Sequence, residues 1–143
     1  MPYAVLDDIA VIYSDDALYV ADRNHDGIID SSAVDRALEA ASIEMDGYLG
    51  VRYDLPFKTA PAILKQPCID IALYRLAQSR DVQSEEHRKR YDDAIRLMDR
   101  LAKGTASLNL PPAADGTPPT PSPNTVKTQS GEKHFTRQNM AGL

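Results

Sequence analysis

Residues 111–123 read PPAADGTPPTPSP and hold six of the chain's ten prolines. Proline lacks a backbone N–H and fixes φ, so this stretch can neither extend a helix nor join a sheet. It favours an extended polyproline conformation and cannot pack a core. Whatever folds must therefore fold before it, leaving a helical domain over residues 1–104 of the 143 and an extended arm over residues 105–143. A body of about a hundred residues holds one modest core with a thin stability margin, which partners or oligomerisation would widen.

The arm does not end in low complexity. After the prolines come Lys127, Lys133 and Arg137, with Phe135, Met140 and Leu143 among them. At about 3.1 Å per residue the proline run spans roughly 40 Å. Spacer and end together read as a tethered docking peptide, with His134, Phe135, Arg137, Met140 and Leu143 as its contact residues. A plain disordered tail is the other reading of the same composition.

The body reads as all-α, a small helical bundle. Asp7 and Asp8 suit the first turn of a short helix continued by Ile9, Ile12 and Tyr13. A second short helical stretch is expected from about Asp15 to Val20. Ser31 or Ser32 then caps a longer helix. In it Val34, Leu38, Ala41, Met45 and Leu49 recur at steps of three and four, while Asp35, Glu39, Ser42 and Asp46 fall on other faces. Leu55-Pro56 marks an extended connection, and Pro61 stands at the next helix start. From Cys68 to Ala77 the sequence is apolar on most sides, as in a helix at the middle of a bundle. Ser84, Glu85 and Glu86 open the last helix, and Gly104 stops it. Tyr91, Ile95, Met98, Leu101 and Ala102 form its inner stripe. Glu85/Lys89, Glu86/Arg90, Asp92/Arg96 and Asp99/Lys103 are acid-then-base pairs four apart on its outer face.

The strongest local motif is the loop beginning at Asp22. Asp22, Asn24 and Asp26 stand at positions 1, 3 and 5 of a calcium-loop pattern, Gly27 at position 6 and Asp30 at position 9. Alternating hard oxygen ligands around a sharp turn are what Ca²⁺ requires. Position 12 is Ala33, where a bidentate carboxylate should close the site. The expectation is therefore no resident cofactor and an Asx-rich turn capped by its own side chains. A calcium-regulated helical binding module is the alternative reading.

Other chemistry finds little support. His25, His87 and His134 are scattered, and with Cys68 as the single cysteine no zinc constellation or intrachain disulfide forms. Cys68 reads as a small buried apolar residue in a chain folded in a reducing compartment. Asp7/Asp8 and Asp92/Asp93 are helix neighbours pointing in different directions, poor material for an acid–base dyad. A small hydrolase would rest on those pairs alone, so no enzyme is expected. No apolar run approaches the roughly eighteen residues of a membrane span, and the first residues lack the pattern of a signal peptide. The net charge is −5, of which the arm contributes +1 and residues 1–104 contribute −6. An acidic body is ill suited to gripping a phosphate backbone.

Several blocks, in order, resemble one family. They are Pro2-Tyr3-Ala4 with Leu6-Asp7-Asp8, then Ala21-Asp22-Arg23 with Asp26-Gly27-x-x-Asp30. The most characteristic is Ala40-x-x-x-Glu44-x-Asp46-Gly47-Tyr48-Leu49, followed by Arg52-Tyr53-x-Leu55-Pro56. Asp70-Ile71-Ala72-x-Tyr74-Arg75-Leu76, Arg90-Tyr91-x-x-Ala94, and Phe135-Thr136-Arg137 with Met140-x-Gly142 continue the series. The set resembles the small virion proteins of Mu-like phages and prophages, related in architecture to head–tail connectors. That resemblance implies a structural adaptor beneath the portal, in a ring of about twelve copies packed side by side. It implies the portal protein and a tail-side connector or terminator as partners, with DNA passing through the channel without specific binding. The location implied is the virion neck, assembled in the host bacterial cytoplasm. The arm would then reach the portal or a neighbouring subunit as a second contact at high effective concentration.

Overall fold

The computed structural model describes residues 1–22, 26–108 and 110. It is all-α: α1 (Leu6–Tyr13), a 3-10 stretch (Asp15–Ala21), α2 (Ser31–Leu49), a 3-10 turn (Ala62–Leu64), α3 (Lys65–Ser79) and α4 (Glu85–Lys103). Of the expected arm only residues 105–108 and 110 are described, and all five of its docking residues lie beyond them.

Helix ends follow their capping chemistry. The Asp8 carboxylate turns back to accept the Val5 N–H at 3.0 Å, holding the start of α1. Where the sequence suggested Ser31 or Ser32 as cap of α2, the cap is Asp30, whose carboxylate accepts the Ala33 N–H at 3.1 Å and the Ser32 hydroxyl at 2.7 Å. The Asp side chain reaches the third amide from one position further back. Pro67 falls in the first turn of α3, where its missing N–H costs no intrahelical bond. Ser84 caps α4 by accepting the His87 N–H at 3.2 Å, and Gly104 ends it with φ +77, the left-handed conformation that glycine adopts without a Cβ clash.

α3 is the central helix, packed by α2 and α4 and crossed by the 3-10 stretch. Its Cys68, Ile69, Ile71, Ala72 and Ala77 have no exposed surface, as its all-round apolar sequence requires. Val34, Leu38, Ala41, Met45 and Leu49 of α2 and Met98 and Leu101 of α4 close over it. The short turn after α3 makes α4 antiparallel to it. Tyr91 of α4 donates to Glu44 of α2, and further along both chains the Arg52 guanidinium lies against Gly104. Those two contacts advance together, so α2 and α4 run parallel, packed against each other as well as against α3.

Ser42 departs from the expected outward face of α2: it is buried. Its hydroxyl donates to the Leu38 carbonyl at 2.9 Å and accepts the Tyr3 N–H at 3.0 Å. A buried hydroxyl needs such partners. The N-terminal segment supplies one, and the Tyr3 hydroxyl donates in turn to Asp46. Arg96 pairs with Asp93 at 3.0 Å rather than with Asp92, while Arg90–Glu86 and Lys103–Asp99 form as the spacing suggests.

Candidate functional site

The chain's passage from body to arm is built, not loose. Beyond Gly104 the Ala106 N–H donates to the Arg100 carbonyl at 3.1 Å. Leu108 is buried, and Leu110 packs against the core. The Leu108 N–H donates to the Tyr53 hydroxyl at 3.1 Å. The Tyr53 ring meets Phe57 edge-on with centroids 6.1 Å apart, and Phe57 leads to Tyr3 at 6.2 Å. These rings belong to the connection after α2, which includes a cis Leu55–Pro56 bond. Packing thus continues past residue 104 to Leu110, with the rest of the chain launched from the end of the bundle where α2 and α4 terminate. Beside this root lies a groove of about 300 Å³ lined by Met1, Pro2, Tyr3, Asp46, Phe57 and Lys58, among others.

At the opposite end stands the acidic loop. Asp22 Oδ2 accepts the Gly27 N–H at 3.0 Å and Oδ1 the Asp26 N–H at 3.3 Å. Asp26 Oδ1 accepts the Ile28 N–H at 2.8 Å, and Asp30 caps α2. Gly27 turns the chain at φ +80. Each described carboxylate of the motif is therefore engaged by backbone amides of its own turn. Asn24 and His25 lie outside the described residues. Among the described residues no group of three or more His, Cys, Asp or Glu is arranged to hold a metal.

Three polar clusters pin the helices together. Asp70 is only 8% exposed inside α3. Its carboxylate accepts the Tyr13 hydroxyl at 2.6 Å, and the Arg90 guanidinium sits 4.3 Å from the centre of the Tyr13 ring. Burial raises the Asp70 carboxyl above its ordinary range. Burial and the carboxylate together push the Tyr13 hydroxyl up to about 12. In the second cluster Glu44 accepts from Tyr91 at 3.0 Å and pairs with Arg75 at 2.6 Å, while Tyr91 stacks on Tyr74 at 4.3 Å. In the third, Lys65 pairs with Asp8 at 2.7 Å, which holds that carboxyl below its ordinary range.

These groups tie elements together. His87 faces the core with Nδ1 3.0 Å from the Ser84 hydroxyl, and burial lowers its basicity. Burial likewise pushes the Cys68 thiol up, away from the thiolate a nucleophile requires. Sequence reasoning placed Tyr13 on a helix face without seeing its bond to Asp70. The available signal was a lone acid inside an apolar helix. No helix among the described residues is long and apolar enough to cross a membrane.

A Mu-like prophage FluMu protein gp36 of Haemophilus influenzae is 44% identical over 82 residues, which is 57% of either chain. Gene product J of Escherichia phage Mu is 29% identical over 140 residues, 96% of either chain. The family model described as Bacteriophage Mu, Gp36 matches residues 3–128, the whole helical body and the proline run beyond it, so the chain belongs to this Mu-like phage protein family.

Proposed function

We propose that this protein is a structural subunit of a tailed phage particle, a head–tail adaptor that forms a ring beneath the portal and joins head to tail. The carrying observation is the built root of the arm. Leu108 and Leu110 seal the end of the bundle, and Tyr53 holds the Leu108 amide. A fixed root followed by an extended spacer suits a tether: it holds the end residues His134, Phe135, Arg137, Met140 and Leu143 near the body, so a second contact follows the first at high effective concentration. The family match includes the proline run, which supports the arm as part of the working molecule. The polar clusters, each tied to helix packing, fit a part whose task is to hold shape. The portal protein and a tail-side connector are the partners in this reading, with no cofactor.

The test is truncation after Leu110, which keeps the packed root. The shortened protein should fold like the full chain, by circular dichroism and thermal unfolding, yet fail to join portal-bearing heads to tails in an assembly reaction. Efficient joining by the shortened protein would overturn the role given to the arm. Failure of the full chain to associate with heads would overturn the adaptor reading itself.

A further inference from the structure

α2 presents an outer ridge that nothing among the described residues covers. Asp35, Glu39, Ile43, Gly47 and Val51 follow at steps of four, so they stand in one line along the helix and its last turn. All five are exposed, Ile43 by 65% and Val51 by 67%. A Cβ on Gly47 would meet nothing within 4 Å. The fold therefore gives no reason for glycine there, although mid-helix glycine costs roughly 0.5–1 kcal/mol relative to alanine. Such a spot suits the close approach of something from outside.

α4 presents a matching recess. A groove of about 340 Å³ runs over its first turns, lined by Glu85, Arg88, Lys89, Asp92 and Arg96 with the preceding Gln83 and Ser84. On this helix Arg90, Arg96 and Lys103 are already paired with Glu86, Asp93 and Asp99. No ion pair among the described residues engages Arg88 or Lys89, nor Asp35 or Glu39 on α2.

We propose that copies of this chain join side by side, with the outer ridge of α2 on one copy seated in the outer groove of α4 on the next. Residues 1–104 carry a net charge of −6, so two bodies repel unless opposite charges meet locally. Asp35 and Glu39 facing Arg88 and Lys89 supply that match, and Arg36 beside them finds Glu85 and Asp92. The aliphatic stems of Lys89 and Arg96 cover Ile43, and Gly47 lets the two helix backbones come close.

The parallel run of α2 and α4 adds a condition that is met. Tyr91 stands beside Glu44 and Gly104 beside Arg52. Carried back along both helices, that register brings Asp35 and Glu39 level with the first turns of α4, where Arg88 and Lys89 stand. A rotation about an axis along the bundle preserves height, so faces at equal height close a ring, whereas unequal heights wind a filament. The inference deepens the adaptor reading by naming the contact between neighbours.

The test is sedimentation of the full chain over a concentration series. The native protein should self-associate. Glu39→Lys and Lys89→Glu should each weaken association about tenfold or more, and the double variant should regain it. Gly47→Ala should raise the melting temperature of the dilute protein while weakening association. Asp7→Lys, away from both faces, should associate like the native chain. A native chain that stays monomeric throughout, single variants that associate normally, or a double variant that stays dissociated would each overturn the proposal. Normal head–tail joining by Glu39→Lys would remove this interface while leaving the adaptor reading standing.

Discussion

The Leu108 amide donates to the Tyr53 hydroxyl at 3.1 Å, across 55 positions of sequence. That bond and the burial of Leu108 hold the end of the packed body against the connection that leaves α2. Leu108→Ala removes a buried side chain at the bundle's end and should cost about 2–3 kcal/mol in chemical denaturation. Tyr53→Phe keeps the ring and strands the amide, and should cost roughly 1 kcal/mol. Native stability in both variants would show that the chain past Gly104 contributes nothing to the fold.

Two glycines with left-handed backbone should respond differently to alanine. At Gly27, φ is +80 and a Cβ meets nothing within 4 Å, so Gly27→Ala should cost only the backbone term, about 1–2 kcal/mol. At Gly104 a Cβ would fall 1.8 Å from Arg52 Nη1, so Gly104→Ala must also displace the guanidinium and should cost more. In an Arg52→Ala background the excess should disappear, measured as a coupling in a double-mutant cycle.

Asp70 should make the protein less stable as pH rises. Burial raises its folded-state value above the ordinary 3.8, so the folded chain binds this proton more tightly than the unfolded chain. Its contribution is then fully present below the ordinary value and is lost as pH climbs to the raised one. Asp8 acts in the opposite sense: Lys65 lowers its value, and its contribution is lost as pH falls. Asp70→Asn keeps an acceptor for the Tyr13 hydroxyl and removes the titration. Stability of the variant at neutral pH should equal or exceed the native value, with the Asp70 slope gone from a pH series. An unchanged slope would show that another group sets it.

Calcium should bind weakly or not at all. The Asp22, Asp26 and Asp30 carboxylates hold amides of their own turn, and Ala33 stands where the closing ligand belongs. Titration calorimetry with Ca²⁺ at millimolar concentration should show no heat. Heat that vanishes in Asp22→Ala would instead establish the loop as a calcium-regulated element.

Much of the fold was legible because it is local. Two of the four acid–base steps of α4, Glu86/Arg90 and Asp99/Lys103, its Ser84 start and its Gly104 stop all act within a few residues, as does the apolar stripe of α2. The apolar surround of Cys68–Ala77 marked α3 as the centre. What escaped depends on partners far away in sequence. Ser42 reads as one polar residue on an outward face until Tyr3 is brought to it. Leu108 and Leu110 sit in a segment without helical period, so nothing local signals their packing against the body. Asp70 shows only as an acid in an apolar helix, and its partner Tyr13 lies 57 positions away. The proposed contact ridge was the least legible. The exposed line from Asp35 to Val51 has the ordinary pattern of a solvated helix face, and only the open space at Gly47 sets it apart.

The root at Leu108 and Tyr53 gives the subunit a direction. The chain leaves the body at one end only, where α2 and α4 finish, while the acidic turn occupies the other. A ring that repeats this body by rotation about an axis along the bundle would therefore have two unlike rims, one where every arm starts and one bearing every acidic turn. In such a ring no copy could be inserted upside down: its polarity along the axis is written into each copy before assembly begins.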